Sequence, residues 1–587
     1  MAGRMGGLLY RYISMLLLKN RTLGRTAEQM AHARGSATCV SYGGQRLSFD
    51  EFNRAANRRA NLFQALGVQR GEPVALLMEN RPEFLETLTG LAKLGAVTAG
   101  INTNLSGAQL IHCLNISAAK RLVVGRECLQ ALNDVLPQLP GLRADGIFVD
   151  SHGESGAALP AGSHDLDAML SGASPENPPP AKLSSQDLLL YVYTSGTTGM
   201  PKAAKITHLR WFVSGFVMGY HGLELTPEDV VYCALPLYHS NGAMIAFASA
   251  LTNGCTLALS RRFSASHYWE EVTRSGATTF IYIGEFLRYL MNTPAGPSDR
   301  AHKVTRVLGN GLRPDIWIPF QERFNIPHIR EFYASTEGNA GTLNLDDVPG
   351  SIGKPVLRLL NMPLIRYDVE AESYLRDANG FCVRCKPGEV GELLSQIKGT
   401  AKFEGYTNPL ETEKKILRDV FRTGDVFFKT GDLMKTDAQG NHYFVDRIGD
   451  TFRWKGENVS TQEVQEILTG FPGVHLINVF GVHVPGAEGR VGMAAVVLDA
   501  GASFAPDAFY RYAEAHLPAY SRPAFVRLAR MLEVTGTFKL KKVDLQKASY
   551  DPALVKDPLF YRDERAHTFS PVTPDIFLEI NGQRIRF

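Results

Sequence analysis

With 587 residues the chain exceeds what one hydrophobic core organises, and at roughly 100–200 residues per domain it calls for three or more modules. Hydrophobic residues at 44%, charged residues at 21% and a net charge of +3 exclude a disordered, collagenous or nucleic-acid-coating chain and match a globular enzyme. Seven scattered cysteines, an odd number, argue against a disulfide framework and make the cytoplasm the expected location.

In chain order, Leu8-Leu9-Tyr10-Arg11-Tyr12-Ile13-Ser14-Met15-Leu16-Leu17-Leu18 is apolar and flanked by Arg4, Lys19, Arg21 and Arg25. A membrane-spanning helix needs about 20 apolar residues, more than this segment has. Lys19, Asn20 and Arg21 stand where a signal peptide would carry its small-residue cleavage site. Two readings stay open for residues 5–20: an interfacial amphipathic helix in peripheral contact with a membrane, and a helix packed on the protein body.

From Leu47 onward, helix and strand signals alternate. Ser48-Phe49-Asp50-Glu51 is a capping box that opens a helix ending at Gly67. Val74 to Met78 reads as a buried strand. Arg81-Pro82 starts a helix with apolar Phe84, Leu85, Leu88, Leu91 and Leu94, stopping at Gly95. Arg121 to Val124 is strand-like, and the Gly-, Pro-, Ser- and Asp-rich stretch 151–185 reads as a surface loop or linker. Strand signals resume at Val230 to Ala234, Thr256 to Leu259, Thr279 to Ile281, Val304 to Leu308 and His328 to Phe332, with helical segments between them. This is an α/β pattern with largely parallel sheets. Past Arg447 the pattern changes: Ser460-Thr461-Gln462-Glu463 caps a helix, strands are expected at Asn478 to Val484 and Met493 to Leu498, and a helix near Phe504 to His516. The expected division is a large N-terminal domain, 1–447, with 1–46 as an extension, and a small α+β domain, 448–587.

The chemistry concentrates in Tyr191-Val192-Tyr193-Thr194-Ser195-Gly196-Thr197-Thr198-Gly199-Met200-Pro201-Lys202. Glycines let successive N–H groups point into one concavity, hydroxyls add donors and Lys202 adds a charge, which together suit a phosphate. A Walker A loop needs Gly-Lys-Ser/Thr at its end, and Gly199-Met200-Pro201-Lys202-Ala203 does not supply it. A polar hairpin turn is the competing reading. In Arg330-Glu331-Phe332-Tyr333-Ala334-Ser335-Thr336-Glu337-Gly338-Asn339 a strand runs into a hydroxyl-carboxylate-glycine turn, and Glu337 beside Thr336 suits Mg²⁺, which takes oxygen ligands. Gly309-Asn310-Gly311-Leu312-Arg313-Pro314 lacks the third glycine of a dinucleotide loop. Asp432, in Thr430-Gly431-Asp432, can accept from both hydroxyls of a ribose. Cys382 and Cys385 form C-x-x-C without the second ligand pair that a zinc site requires.

Tyr193 to Lys202 resembles the phosphate loop of the adenylate-forming superfamily, which includes the acyl-CoA synthetases, luciferases and peptide-synthetase adenylation domains. The segments around Tyr282 to Glu285, Gly309 to Trp317, Lys414 to Phe421 and Asp446 to Ser460 resemble the fatty acid transport protein and very-long-chain acyl-CoA synthetase branch. The likeness runs from about Ser48 to the C-terminus, including Asp557-Pro558-Leu559 in the tail.

The resemblance implies phosphate binding by Tyr193, Thr194, Ser195, Gly196, Thr197, Thr198, Gly199 and Lys202, adenine contact by Gly309, Asn310 and Gly311, and nucleotide binding by Tyr333. It assigns the ribose to Asp432 and Arg447, metal binding to Glu337 with Thr194, and phosphate contact to Thr336. His239, in Pro236-Leu237-Tyr238-His239-Ser240-Asn241-Gly242, becomes a gate or binding residue beside the acyl site, since a fatty carboxylate is already ionised at neutral pH. The catalytic lysine maps to Lys539 in Thr535-Gly536-Thr537-Phe538-Lys539. The family reads P-x-T-x-x-G-K there, whereas this chain has Glu533 and Phe538, so Lys541 and Lys542 compete for the role.

The implied reaction is two-step: a carboxylate attacks the α-phosphate of ATP with Mg²⁺, then the thiol of coenzyme A attacks the acyl-adenylate. The small domain would turn about Arg447 to Asp450 between the halves, presenting Lys539 first and the face around Gly456-Glu457-Asn458 second. Free coenzyme A and a carrier-protein pantetheine both fit as acceptor. A long-chain fatty acid is the expected partner. A sterol-side-chain or bile-type acid and a membrane-associated uptake role are the alternatives, and no nucleic acid is expected.

Overall fold

A computed structural model describes residues 21–152, 158–194, 200–356, 361–369, 371–399, 401–455, 457–487, 489–534, 540–585 and 587. The chain forms two compact units, Met1–Leu357 with Ile397–Lys415, and Arg358–Gln396 with Ile416–Phe587. Residues 5–20, for which a membrane-surface helix and a helix packed on the body are both open, lie outside the described residues. Among the described residues no helix is long and apolar enough to cross a membrane.

The first unit grows from the expected capping box. Ser48 Oγ accepts from Glu51 N at 3.2 Å and the Glu51 carboxylate accepts from Ser48 N at 2.8 Å, satisfying two otherwise orphaned donors at the start of α1 (Phe49–Ala65). Helical spacing then buries Phe49, Phe52, Ala56, Ala60 and Phe63 on one face. Arg59 shares that face and is held by Asp150 at 2.9 Å and Glu86 at 3.1 Å, since a buried cation needs partners. Helix α2 (Pro82–Leu94) is buried along its whole length and stops where Gly95 takes φ 74°, a conformation that favours glycine.

Two sheets carry the unit. A seven-stranded sheet runs His164–Asp165, Ile147–Asp150, Arg121–Gly125, Pro73–Leu77, Val97–Gly100, β1 (Leu188–Thr194) and β2 (Lys202–Thr207), parallel except for the final β1/β2 pair. A nine-stranded sheet is parallel through its middle, where β3 (Arg306–Asn310) lies between Thr279–Ile283 and β4 (His328–Ala334), and antiparallel at both ends. The continuous apolar runs noted in the sequence are the central parallel strands, covered on both faces.

Some sequence expectations change. The strand expected from Val304 begins two residues later, at Arg306, where pairing to Thr279 and His328 starts. The stretch 151–185 is not a plain linker. It contributes an edge strand and the helix Leu166–Ser171, and its 173–176 carbonyls accept from Asn57, Arg58 and Asn61 on the polar face of α1.

In the second unit, β5 (Val426–Thr436) pairs antiparallel with Gly391–Gln396, Ile416–Arg418 and β6 (His442–Arg447). A second sheet runs Val474–Val482, Val491–Leu498, Phe525–Leu528, Leu559–Asp563 and Thr568–Pro571. Its core includes Val464 and Leu468 of the helix Thr461–Thr469 and Phe509 of the helix Pro506–His516.

Candidate active site

β1 and β2 bracket the loop read in the sequence as phosphate-binding, with Thr194 opposite Lys202 in the ladder and Thr194 Oγ1 donating to Lys202 O at 3.4 Å. Tyr193 is buried and its hydroxyl donates to Cys113 O at 3.1 Å, fixing the end of β1. Ser195, Gly196, Thr197, Thr198 and Gly199 lie outside the described residues, as do Gly456 and Thr535 to Lys539.

Lys202 forms an ion pair with Glu411, and its Nζ lies 5.8 Å from the centre of the Tyr406 ring. Hydrogen bonds from Lys202 and then Lys414 hold the Glu411 carboxyl at about 2, well below its ordinary value. Tyr406 OH donates to Glu337 Oε1 at 2.8 Å. Burial and the neighbouring Glu337 charge push the phenol far above its ordinary pKa, so it stays a donor.

The Thr336-Glu337-Gly338 turn is held from beneath. Arg210 Nη2 donates to Thr336 O at 2.8 Å and Gly338 O at 2.7 Å, and Nη1 reaches Glu337 O at 3.4 Å. Burial lowers the Arg210 pKa while the Glu337 charge opposes that shift. Thr336 Oγ1 lies 3.4 Å from Ser240 Oγ, which is also 3.4 Å from His239 Nδ1. Asn241 Nδ2 donates to Asn310 Oδ1 at 3.0 Å. His239 to Asn241 thus link the turn after β4 to the loop after β3, immediately before a π-helical stretch, Asn241–Phe247, of a kind that recurs at functional sites.

The Gly309-Asn310-Gly311 loop has an anchor that the sequence reading left without a role. The buried Glu331 carboxylate accepts from Gly311 N and Leu312 N at 3.0 Å each and from Tyr282 OH at 2.7 Å. Burial pushes its pKa up to about 8 against the pull of these donors. Glycine is required at 309, because a side chain there would meet the Tyr282 carbonyl at 2.3 Å. Tyr333 is half-buried and pairs with Thr342 on the neighbouring antiparallel strand.

In the second unit Asp432 and Arg447 face each other across the β5/β6 ladder, with Arg447 Nε 3.7 Å from Asp432 Oδ1. The two lysines that compete with Lys539 are both engaged. Lys541 pairs with Glu533 at 3.1 Å, and Lys542 donates to Thr461 Oγ1 at 2.7 Å and lies 3.5 Å from Asp450.

Sequence reasoning missed Arg210, Tyr406 and Glu411. No local pattern marks Arg210. Glu331 carried a signal, a carboxylate at a buried position of a central strand, which needs a reason to be there. The oxygen donors present fit a hard metal ion: Glu337 has Oε2 beside the Tyr406-bound oxygen and Thr194 offers a hydroxyl, a set that suits Mg²⁺ completed by phosphate and water. Among the described residues no cluster of three His, Cys, Asp or Glu forms a separate metal site.

Parallel sheets whose strand ends carry a phosphate-type loop, a carboxylate turn and a glycine loop define a nucleotide-using enzyme of the adenylate-forming class. The model of the AMP-binding enzyme matches residues 27–407, and that of the AMP-binding enzyme C-terminal domain matches residues 463–539. Long-chain fatty acid transport protein 2 of Rattus norvegicus is 41% identical over 92% of this chain and 87% of its own length. Medium/long-chain-fatty-acid–CoA ligase FadD6 of Mycobacterium tuberculosis is 39% identical over 95% of this chain and 90% of its own. Among solved structures, anthranilate CoA ligase AuaEII with anthranoyl-AMP shares the fold at a TM-score of 0.77 and 22% identity, over 91% of this chain and 98% of that one. The chain belongs to the AMP-binding enzyme family, in its fatty acid transport protein and acyl-CoA synthetase branch, and is an AMP-forming acyl-CoA synthetase.

Proposed function

We propose that the protein is a long-chain or very-long-chain fatty acid–CoA ligase that converts acid, ATP and coenzyme A to acyl-CoA, AMP and pyrophosphate. The observation that carries the reading is Glu337, a buried carboxylate with one oxygen tied to Tyr406, on a turn whose Thr336 lies beside the His239 segment. The names of the two relatives supply the substrate class.

In this reading Thr194, Lys202 and the loop between them bind the phosphates, Gly309 to Gly311 receive adenine, and Tyr333 contacts the nucleotide. Asp432 accepts from the ribose hydroxyls with Arg447 at its side. Glu337 and Thr194 would hold Mg²⁺, which supplies positive charge against the phosphates. Thr336 donates to phosphate. Lys539 neutralises the charge that gathers on the α-phosphate as the carboxylate attacks. His239 lines the acyl entrance and takes no proton. The acyl-adenylate is hydrolysable, so the site must exclude water until the thiol arrives. Residues 448–587 act as a lid turning about Arg447 to Asp450. The cytoplasm is the proposed setting of the reaction, with peripheral membrane contact through residues 5–20 as one of the two readings of that segment.

The test is pyrophosphate release and thioester formation across acids from about C8 to C26 and one sterol-type acid, for wild type and Lys539→Ala; loss of one catalytic cation costs about 100-fold or more. An optimum among long chains with adenylation lost in the variant is expected. Activity on the sterol-type acid alone would overturn the substrate, and full adenylation by the variant would overturn the lysine.

A further inference from the structure

The segment Ile397–Lys415 belongs to the first unit although the chain on both sides of it belongs to the second. It lies along β2 as a short added strand: Lys205 N donates to Gly405 O and Thr407 N donates to Ala203 O, both at 2.9 Å. Gly405 has φ 67°, and a side chain there would meet Thr412 at 2.3 Å. That closeness lets Thr412 Oγ1 accept from Tyr406 N at 2.9 Å and donate to Asn408 O at 3.0 Å, so Tyr406 and Glu411 ride on one compact turn.

From that turn the two side chains reach the two oppositely charged groups of the phosphate site. Tyr406 donates to Glu337, and Glu411 pairs with Lys202. The phenol ring touches both, with Glu337 on its hydroxyl and the Lys202 ammonium 5.8 Å from its centre. The Lys202–Glu411 pair is partly open to solvent, which moderates its attraction and lets it be exchanged. Glu411 has a second cation, Lys414, at 2.6 Å, so it is not left unpaired when Lys202 departs.

We propose that Tyr406 and Glu411 are positioning residues of the nucleotide-phosphate site: Tyr406 aims Glu337, and Glu411 holds Lys202 until a nucleotide phosphate displaces it. The proposal rests on the reading of Lys202 and Glu337 given above. No bond is made or broken; an ion pair with a carboxylate is exchanged for one with a phosphate. The consequence has an unusual sign. A residue that merely supported the structure would weaken nucleotide binding when changed, whereas removing the charge of a competing carboxylate strengthens it.

The experiment is calorimetric titration of the full chain with α,β-methylene-ATP, first without metal and then across a Mg²⁺ series, with circular dichroism to check the fold. Glu411→Gln is expected to bind the metal-free nucleotide about 5–10-fold more tightly, since the competing charge is gone. Lys414→Met, at an exposed position, is expected to weaken it about threefold, because Glu411 then keeps Lys202 as its sole partner. Tyr406→Phe keeps the ring and is expected to leave metal-free binding unchanged while raising the half-saturating Mg²⁺ about 10-fold. Unchanged or weaker metal-free binding by Glu411→Gln, or an unchanged Mg²⁺ dependence in Tyr406→Phe, would overturn the proposal. Absence of nucleotide binding by the wild type would instead remove the functional reading on which it stands.

Discussion

The residues proposed for the phosphates and those proposed for the ribose are built differently. Glu337, its turn and the glycine loop are tied by short bonds to Tyr406, Arg210 and Glu331, and Glu337 and Glu331 are buried. Asp432 and Arg447 face each other at 3.7 Å across a strand ladder, and both side chains are partly open to solvent. Charge that must be stabilised in a reaction calls for groups fixed beforehand, because reorganising them would cost part of the stabilisation. Hydroxyls that only need to be recognised can be met by groups that adjust.

The contrast can be broken most forcibly at Arg210. Arg210→Met strips charge-assisted donors from three consecutive carbonyls, and urea unfolding should show a loss of about 2–4 kcal/mol together with loss of pyrophosphate release. Nearly as large is an acid effect at His208, which follows β2. Its Nδ1 accepts from Leu23 N at 3.2 Å, and burial lowers its pKa to about 4. Between that value and the ordinary 6.5 the unfolded chain binds the extra proton, so stability falls as pH falls through this window, by about 3 kcal/mol in total. Thermal melting from pH 7 to pH 4 should show this loss in the wild type and a flatter profile in His208→Gln.

Glu331→Gln sharpens the comparison. The amide turns an N–H toward one of the loop's N–H donors, and KM for ATP should rise about 10-fold with kcat less affected. Asp432→Asn should have the smallest effect on folding. The melting temperature should stay within about a degree while KM for ATP rises, since the pair is partly exposed and contributes little to stability.

Much of this was legible in the sequence because the signals are local. Ser48 and Glu51 announce their cap three residues apart, and apolar runs such as Thr256 to Leu259 coincide with the observed strand. The marker loops were legible as strings of chemistry. What supports them was not, because it comes from far along the chain: Arg210 reaches its carbonyls across 126 to 128 residues, and Tyr406 reaches Glu337 across 69. Glu331 sat inside a recognised string, but its role depends on the backbone of the next loop bending back toward it. A sequence pattern does not contain that bend.

The added strand at Gly405 to Thr407 also protects the protein from itself. β2 is the last strand of the seven-stranded sheet, and an uncovered edge is a template for pairing with another molecule. A fragment ending at Leu357 would retain every strand of both large sheets yet expose that edge, and a version that kept 397–415 on a replacement linker would cover it. Designs that separate the two units therefore have to treat this segment as part of the first unit to obtain a protein that stays in solution.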